Sequence, residues 1–400
     1  MGFPDRLTQA ADVLKIFEGH GYKAYFVGGC VRDLLCDRDV GDIDIATSAT
    51  PDTVQEIFDK VIPVGLEHGT VIVRYAHQSY EVTTFRMDGD YSDQRHPDDV
   101  QFMQTIDEDL KRRDFTMNAL AMDKEGTIID LFDGQEDIGR GQIRTVGNGI
   151  DRFQEDPLRI IRAIRFASQL GFSIATETLH AMMAVKQEIE TIAVERIAHE
   201  MEKFFAGTCV QTGIDYLQTT GIHEHLPIIK GHPGLVDRLP DPIMPLPSMG
   251  SVITLLHRLE PAVSIHEWVK GWKCSNKVKH QALELNKAMK HFQTAGLNRW
   301  LVYRLSEDCY KAFSVLAKMV LHSSVTYQDI LAIDEQLPIH SKQDLAVNGK
   351  DLMRLYPDAK GGPWVGELLD ILEKKVVTGD LSNDKNEIRD WVQWHPHDIG

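Results

Sequence analysis

The sequence predicts a multidomain α+β protein, with a mixed α/β unit at the N-terminus and an all-helical remainder. Three observations predict it. The chain has 400 residues, too many for one compact core. Its strand-like apolar runs, YFV, DIDIA, VIVRYA and YEVTTF, all fall before residue 86. From Arg152 onward nearly every stretch follows the helical period.

The first unit opens with LTQAADVLKIFEGHG, an amphipathic helix closed by a glycine. YFV and DIDIA follow as strands, then VIVRYA and YEVTTF as a hairpin joined by HQS. Between Phe85 and Phe102 the polar stretch RMDGDYSDQRHPDDVQ shows no period and reads as a long functional loop. A boundary is expected near 146 and a second near 207, where the helical run ERIAHEMEKFFAG stops. Residues 227–247 carry Pro227, Pro233, Pro240, Pro242, Pro245 and Pro247, which excludes a helix and reads as a loop inside a third, helical domain. The last ninety or so residues, with LAVNGKDL and GGPW, make a fourth unit.

A hydrophobic content of 42% and a charged content of 26% are those of globular protein and exclude a disordered or fibrous chain. Cys30, Cys36, Cys209, Cys274 and Cys309 form no CxxC pair and are odd in number. That argues against a disulfide framework or a zinc site and for a reducing, cytoplasmic location. The N-terminus lacks a signal peptide's apolar core, and no run approaches the ~20 apolar residues of a membrane span, so no membrane role is expected. The net charge of −17 speaks against a polyanionic partner. A sum over the chain does not say where its 43 Lys and Arg gather, however, and several gather tightly.

In GGCVRDLLCDRDVGDIDIATSA, residues 28–49, Asp42 and Asp44 sit one residue apart. On a strand, residues i and i+2 share a face, so both carboxylates would project together while Ile43 and Ile45 enter the core. Like charges so close repel unless a cation lies between them, and a hard divalent ion such as Mg²⁺ takes such ligands and shares them with phosphate. For a lone DxD a solvated strand end is the better reading. Upstream, however, Gly28 and Gly29 end a strand and Arg32 lies in the first turn of a helix. Glycines at a helix start let phosphate approach backbone N–H groups, and an arginine adds a bidentate contact. Together these features suggest a nucleoside triphosphate and phosphoryl chemistry.

The order GG-x-x-R-D then D-x-D resembles the nucleotidyltransferase signature of the DNA polymerase β superfamily. RRDFTMNA (112–119) and EDPLRIIRAIRFA (155–167) are similar to motifs of the class II tRNA nucleotidyltransferases, the CCA-adding enzymes. The likeness runs through ERIAHEMEKFF to LAVNGKDL and covers nearly the whole chain. It implies a nucleotidyltransferase head (1–146), a helical neck with a nucleotide-selecting helix (147–207), a body (208–310) and a tRNA-binding tail (311–400). It also implies Mg²⁺ as cofactor and template-independent addition of CCA to tRNA from CTP and ATP.

EDPLRIIRAIRFA has its own logic. Pro157 suits a first helical turn. Glu155, Asp156, Arg159 and Arg162 then fall on one side, with Arg165 at its edge, and Ile160, Ile161, Ile164 and Ala167 on the other. A solvated charged face is the ordinary outcome of such a pattern. The family likeness implies instead that Asp156 and Arg159 read the base while Arg162 and Arg165 help hold the nucleotide. It likewise implies that Arg113 and Asp114 discriminate the ribose, with Asn118 nearby; read alone, RRDFTMNALAMD is a helix start capped by Asp114. Glu81, on YEVTTF, is a candidate third carboxylate. Glu195, Arg196 and Glu200 read as an ion network supporting their own helix.

Enzymes of this class that add only the two cytidines tend to lack the loop after D-x-D. Here that segment, with Arg86, Asp88, Asp93 and Arg95, is full length, which favours complete CCA addition. An enzyme adding only the terminal A stays an alternative, as does a CC-adding one. A poly(A) polymerase would carry a basic C-terminal extension, which DLSNDKNEIRDWVQWHPHDIG is not, and a non-catalytic RNA-binding protein would not need the intact motifs. Neither HEH at 223–225 nor His397 with Asp398 suggests an added phosphohydrolase domain. Candidate RNA phosphate contacts are 111–113, the arginine helix, and Lys270, Lys273, Lys277 and Lys279. Trp268 and Trp272 read as core. A homodimer is left open.

Overall fold

The computed structural model describes residues 5–66, 69–89, 100–232, 234–357, 359 and 361–395. Asp93, Arg95, Pro233, His397 and Asp398 lie outside the described residues. Two compact units make up the chain, Met1–Asp237 and Arg238–Gly400, divided within the proline-rich stretch.

The first unit begins with α1 (Asp5–Gly19), β1 (Ala24–Val27), α2 (Gly29–Leu35), β2 (Asp44–Thr47) and α3 (Pro51–Ile57). There follow β3 (Val61–Gly65), β4 (Thr70–Tyr75), β5 (Gln78–Thr84), β6 (Arg86–Asp88), β7 (Val100–Phe102) and α4 (Ile106–Lys111). After β8 (Leu120–Met122), β9 (Ile128–Asp130), α5 (Gly134–Arg140) and β10 (Gln142–Ile143) come α6 (Gly149–Glu155), α7 (Leu158–Leu170), β11 (Ser173–Ile174), α8 (Thr176–Val185), α9 (Val194–Phe205) and α10 (Val210–Thr220).

A sheet in the order β3-β4-β5-β2-β1-β8-β9 forms the frame. Alternation along β1 places Phe26 in the core beneath α1 and α2, and Val27 in a second core with Phe85 and with Ile106 and Leu110 of α4. The β4–β5 turn is tighter than HQS suggested: Ala76 and His77 both take left-handed φ values, 47° and 64°, and Tyr75 pairs with Gln78. The ends of the long polar stretch are ordered, since β6 and β7 pair antiparallel.

The expectation of one helix from Glu155 to Ala167 needs correction. Asp156 is extended (φ −147°, ψ 99°), so Glu155 ends α6 and α7 starts after Pro157. Proline forces this, because it disfavours helical geometry in the residue before it and lacks an N–H. Downstream the apolar back of α7 is as expected, with Ile160, Ile161, Ile164 and Ala167 buried. Helices α7, α9 and α10 pack so closely that a Cβ on Gly207 would lie 2.1 Å from Ser168 Oγ and 2.5 Å from its carbonyl.

The second unit is helical throughout its described residues: α11 (Met249–Leu259), α12 (Ile265–Gly271), α13 (Asn276–Ala295), α14 (Arg299–Tyr303), α15 (Glu307–Leu321), α16 (Tyr327–Asp334), α17 (Gly349–Leu355), α18 (Pro363–Thr378) and α19 (Lys385–Trp394). Trp268 and Trp272 are core residues, 0% and 1% exposed.

Candidate active site

A cavity of about 640 Å³ in the first unit takes lining residues from the sheet, α2, the segment after α4, and α7. It contains Asp42, Asp44 and Glu81, Gly28, Gly29 and Arg32, Arg113, Asp114 and Asn118, and Asp156, Arg159, Arg162 and Arg165. Every predicted site residue therefore faces one space, although 137 positions separate the first from the last.

The carboxylates come first. β2 starts at Asp44, so Asp42 lies just before the strand and not on it. The alternation still holds, since Ile43 and Ile45 are 7% and 1% exposed while Asp42 and Asp44 line the cavity. β2 pairs parallel with β5, putting Asp44 in register with Glu81. Burial pushes the Asp44 carboxyl up to about 6, with the neighbouring Glu81 and Asp42 adding to the shift against Arg113. Such crowding fits a divalent cation. Among the described residues no three Asp, Glu, His or Cys side chains form a protein-only metal cage. Two carboxylates facing one cavity suit a hard ion that completes its shell with phosphate and water.

Gly28 caps α2 at φ 72°, a conformation that favours glycine. A Cβ there would meet Arg113 Nη1 at 2.7 Å, so glycine also makes room for that guanidinium. Arg113 Nη1 donates to the Asn118 carbonyl (3.3 Å) and Nη2 to Asp109 (3.1 Å). Arg32 donates to Asn118 Oδ1 (2.8 Å) and pairs with Asp33.

Asp114 does not start a long helix, as RRDFTMNALAMD suggested; α4 ends before it and a single 3₁₀ turn, Thr116–Asn118, follows. Its carboxylate accepts from Phe115 N–H (2.9 Å), Asn118 Nδ2 (3.1 Å) and Arg162 Nε (2.8 Å). Burial alone would raise its pKa, but Arg162 and Asn118 outweigh it and hold the carboxyl well below the usual range.

The α7 arginines are less solvated than a polar helix front would be. Arg159 and Arg165 are 9% and 7% exposed. Arg159 Nη1 donates to Glu155 (2.6 Å) and to the Arg152 carbonyl (3.0 Å), and Nη2 to the Arg112 carbonyl (3.4 Å). Arg165 donates to Glu200 (2.5 Å) and Gln169 (2.6 Å), and burial draws its pKa down to about 10 despite Glu200. The α9 charges correct another expectation. Arg196 and Glu200 do not support their own helix: Arg196 pairs with Asp156 through both nitrogens (3.2 and 2.7 Å), and Glu200 takes Arg165 and, at 3.7 Å, Arg162. Both therefore set the rotamers of cavity side chains.

Sequence reasoning missed Asp109, Lys203 and Phe166, and it read Arg86, which lines the cavity, only as part of the long loop. Asp109 is fully buried and holds Arg112 and Arg113. Its signal was legible, because arginines three and four positions after an acid share its helix face. Lys203 lines the cavity from α9 and continues the 196, 200, 203 stripe, which is helically spaced. Phe166 follows Arg162 by four positions on the same helix face, but nothing in the sequence brings Arg32 to it.

The chain matches family models at three places. "Poly A polymerase head domain" covers residues 24–144, "Probable RNA and SrmB- binding site of polymerase A" 171–231, and "tRNA nucleotidyltransferase domain 2 putative" 251–392. It is 46% identical over 385 residues to a CCA-adding enzyme of Oceanobacillus iheyensis, covering 96% of each chain. To a CCA-adding enzyme of Bacillus mycoides it is 39% identical over 401 residues, covering 97% of this chain and 98% of the other. Among solved structures, the Bacillus stearothermophilus CCA-adding enzyme in complex with CTP superimposes with a TM-score of 0.84 at 36% identity, covering 98% of both chains.

Proposed function

The chain belongs to the CCA-adding enzymes, a family of tRNA nucleotidyltransferases, and from that premise we propose how its own residues carry out the reaction. It adds C, C and A to the 3′ end of tRNA from CTP and ATP, releasing pyrophosphate and using no nucleic-acid template. One observation carries the residue-level reading: a single cavity joins the crowded carboxylates, the glycine–arginine turn and the arginine helix.

Nucleotidyltransferases of this kind use a divalent metal, and we assign Mg²⁺ to Asp42 and Asp44, with Glu81 at their flank. When bound, the ion supplies charge stabilisation at the phosphates and lowers the pKa of the attacking 3′-hydroxyl. Gly28 and Gly29 let the triphosphate reach the backbone, and Arg32 and Arg113 neutralise it. Asp114, fixed by Asn118 and Arg162, reads the ribose. Asp156 and Arg159 read the base with what their internal pairing leaves over. Asp156 has roughly one of about four acceptor positions free and Arg159 roughly two of five donors. Little covalent work falls to the protein, so positioning and charge neutralisation dominate.

Because Asp44 must be ionised to hold a metal, divalent affinity measured by calorimetry should weaken as pH falls through about 6. Affinity unchanged between pH 7 and pH 5 would remove Asp44 from the metal site.

For the RNA we favour the second unit. Residues 270–304 carry eight Lys and Arg against one acid, Glu284, in a chain of net charge −17. On α13 and beside it, Lys287, His291, Trp300 and Arg304 line a groove of about 730 Å³. That local excess of positive charge suits a polyanion. The head, neck, body and tail divisions at 146, 207 and 310 belong to the same proposal. The match to residues 24–144 supports the first of them, while those to 171–231 and 251–392 run across the divisions at 207 and 310. Five free cysteines support a cytoplasmic location, and no described helix is long and apolar enough to cross a membrane.

The deciding experiment uses a tRNA transcript lacking its 3′-CCA, with Mg²⁺ and CTP, ATP or both, resolved at single-nucleotide length. Growth by two with CTP and by three only with both is expected. A stop at two with both present, or growth only on a transcript already ending in CC, would refute full CCA addition.

A further inference from the structure

Phe166 on α7 is 4% exposed and lines the cavity next to Arg165. Three guanidinium groups lie over its ring, with Arg165 at 3.7 Å from the centroid, Arg32 at 5.1 Å and Arg162 at 5.5 Å. Phe115 meets the same ring edge-on, centroids 5.8 Å apart at 86°. Phe115 in turn donates its N–H to Asp114. One phenyl ring thus touches cations from two helices and the residue behind the buried carboxylate.

Three positive charges gathered so tightly repel one another. Each has its own carboxylate, Asp33 for Arg32, Asp114 for Arg162 and Glu200 for Arg165. Those acids come from α2, the segment after α4, and α9, and although Glu200 also reaches Arg162 at 3.7 Å, none of them reaches all three arginines. The ring is the group shared by all three, and its electron-rich face attracts cations within about 6 Å. We propose that Phe166 is a positioning residue of the nucleotide site, its π face holding Arg32, Arg162 and Arg165 together as one cationic wall. This rests on the reading above that these arginines hold the nucleotide. A leucine would fill the space but lacks the quadrupole. Contacts to the triphosphate persist from the bound state to the transition state, so disordering the wall raises KM more than it lowers kcat.

The test replaces Phe166 in the full chain with mono-, di- and trifluorophenylalanine, which weaken the ring's quadrupole stepwise at nearly constant shape. KM for CTP and ATP is measured on tRNA lacking its terminal nucleotides, with a thermal melt of each variant. The expected result is a stepwise rise in KM, about tenfold by the trifluoro ring, at an unchanged melting midpoint. Phe166→Leu should raise KM comparably, and Phe166→Trp should restore most of the loss. A flat KM across the fluorinated series overturns the proposal, whatever Phe166→Leu does to stability. Arg32→Ala separates the two layers. If it leaves KM unchanged, the reading of the arginines fails. If it raises KM while fluorination does not, only the role of Phe166 falls.

Discussion

Asp42→Ala or Asp44→Ala lowers nucleotide addition by about a thousandfold or more, the scale expected when charge stabilisation worth several kcal/mol is removed. Binding of tRNA survives, because the proposed RNA contacts are the Lys and Arg side chains of residues 270–304 and not these carboxylates. The stability effect has an unusual sign. Burial beside Glu81 and Asp42 lifts the native pKa of Asp44 to about 6, above its ordinary value of 3.8. The folded protein therefore holds the Asp44 proton more tightly than the unfolded chain does, and ionised Asp44 costs stability that grows as pH rises from about 4 to 6. Without divalent ions at pH 7.5, Asp44→Asn should leave the melting midpoint level or raise it, recovering up to about 3 kcal/mol. Wild-type activity in Asp44→Asn, or a midpoint well below wild type, would mean that Asp44 serves the fold and not the metal.

Asp114→Ala has the opposite stability effect and costs about 3–5 kcal/mol, the scale of breaking a buried ion pair from one side. Arg162 loses a partner at 2.7 Å and keeps Glu200 at only 3.7 Å. Asn118 and Phe115 N–H lose an acceptor at the same time. Since the native pKa of Asp114 is depressed, its contribution is present above the ordinary carboxylate range and is lost as pH falls through the lower native value. Denaturant melts of wild type and variant should therefore differ most at neutral pH and converge in strong acid. Equal stability at pH 7 would mean that the cluster is not held by this carboxylate. Activity should fall as well, because Arg162 and Asn118 lose their fixed orientation together. The two aspartates thus separate by stability: Asp44 is tolerated by the fold, and Asp114 supports it.

The candidate site was legible in the sequence to an unusual depth, for a local reason. The alternation around Asp44, the glycine at a strand end and the apolar back of α7 are set by periods of two and 3.6 residues, which any short window contains. Where the reading slipped, it slipped at junctions. Pro157 stops α6 and α7 from merging, and Asp114 precedes a short 3₁₀ turn, Thr116–Asn118, where it was expected to cap a helix. The turn at Ala76 and His77 lacks the Asn or Gly that usually announces one, so a residue-type signal was missing.

By itself the sequence determined the identity and order of the strands and helices around the site, and the chemical inventory that faces a nucleotide. Tertiary structure alone decided the partners: Asp44 with Glu81, Asp114 with Arg162, Asp156 with Arg196, Arg165 with Glu200, and Arg32 with Phe166. Most of these pairs are 35 to 48 positions apart, beyond any local period. Burial of charge at Asp114, Asp156 and Arg165 is tolerated because a distant element supplies its complement, whereas Asp44 meets a second carboxylate in Glu81. A carboxylate or guanidinium that would be an ordinary surface charge on an isolated strand or helix becomes, once the chain closes around it, a group with one orientation and one job.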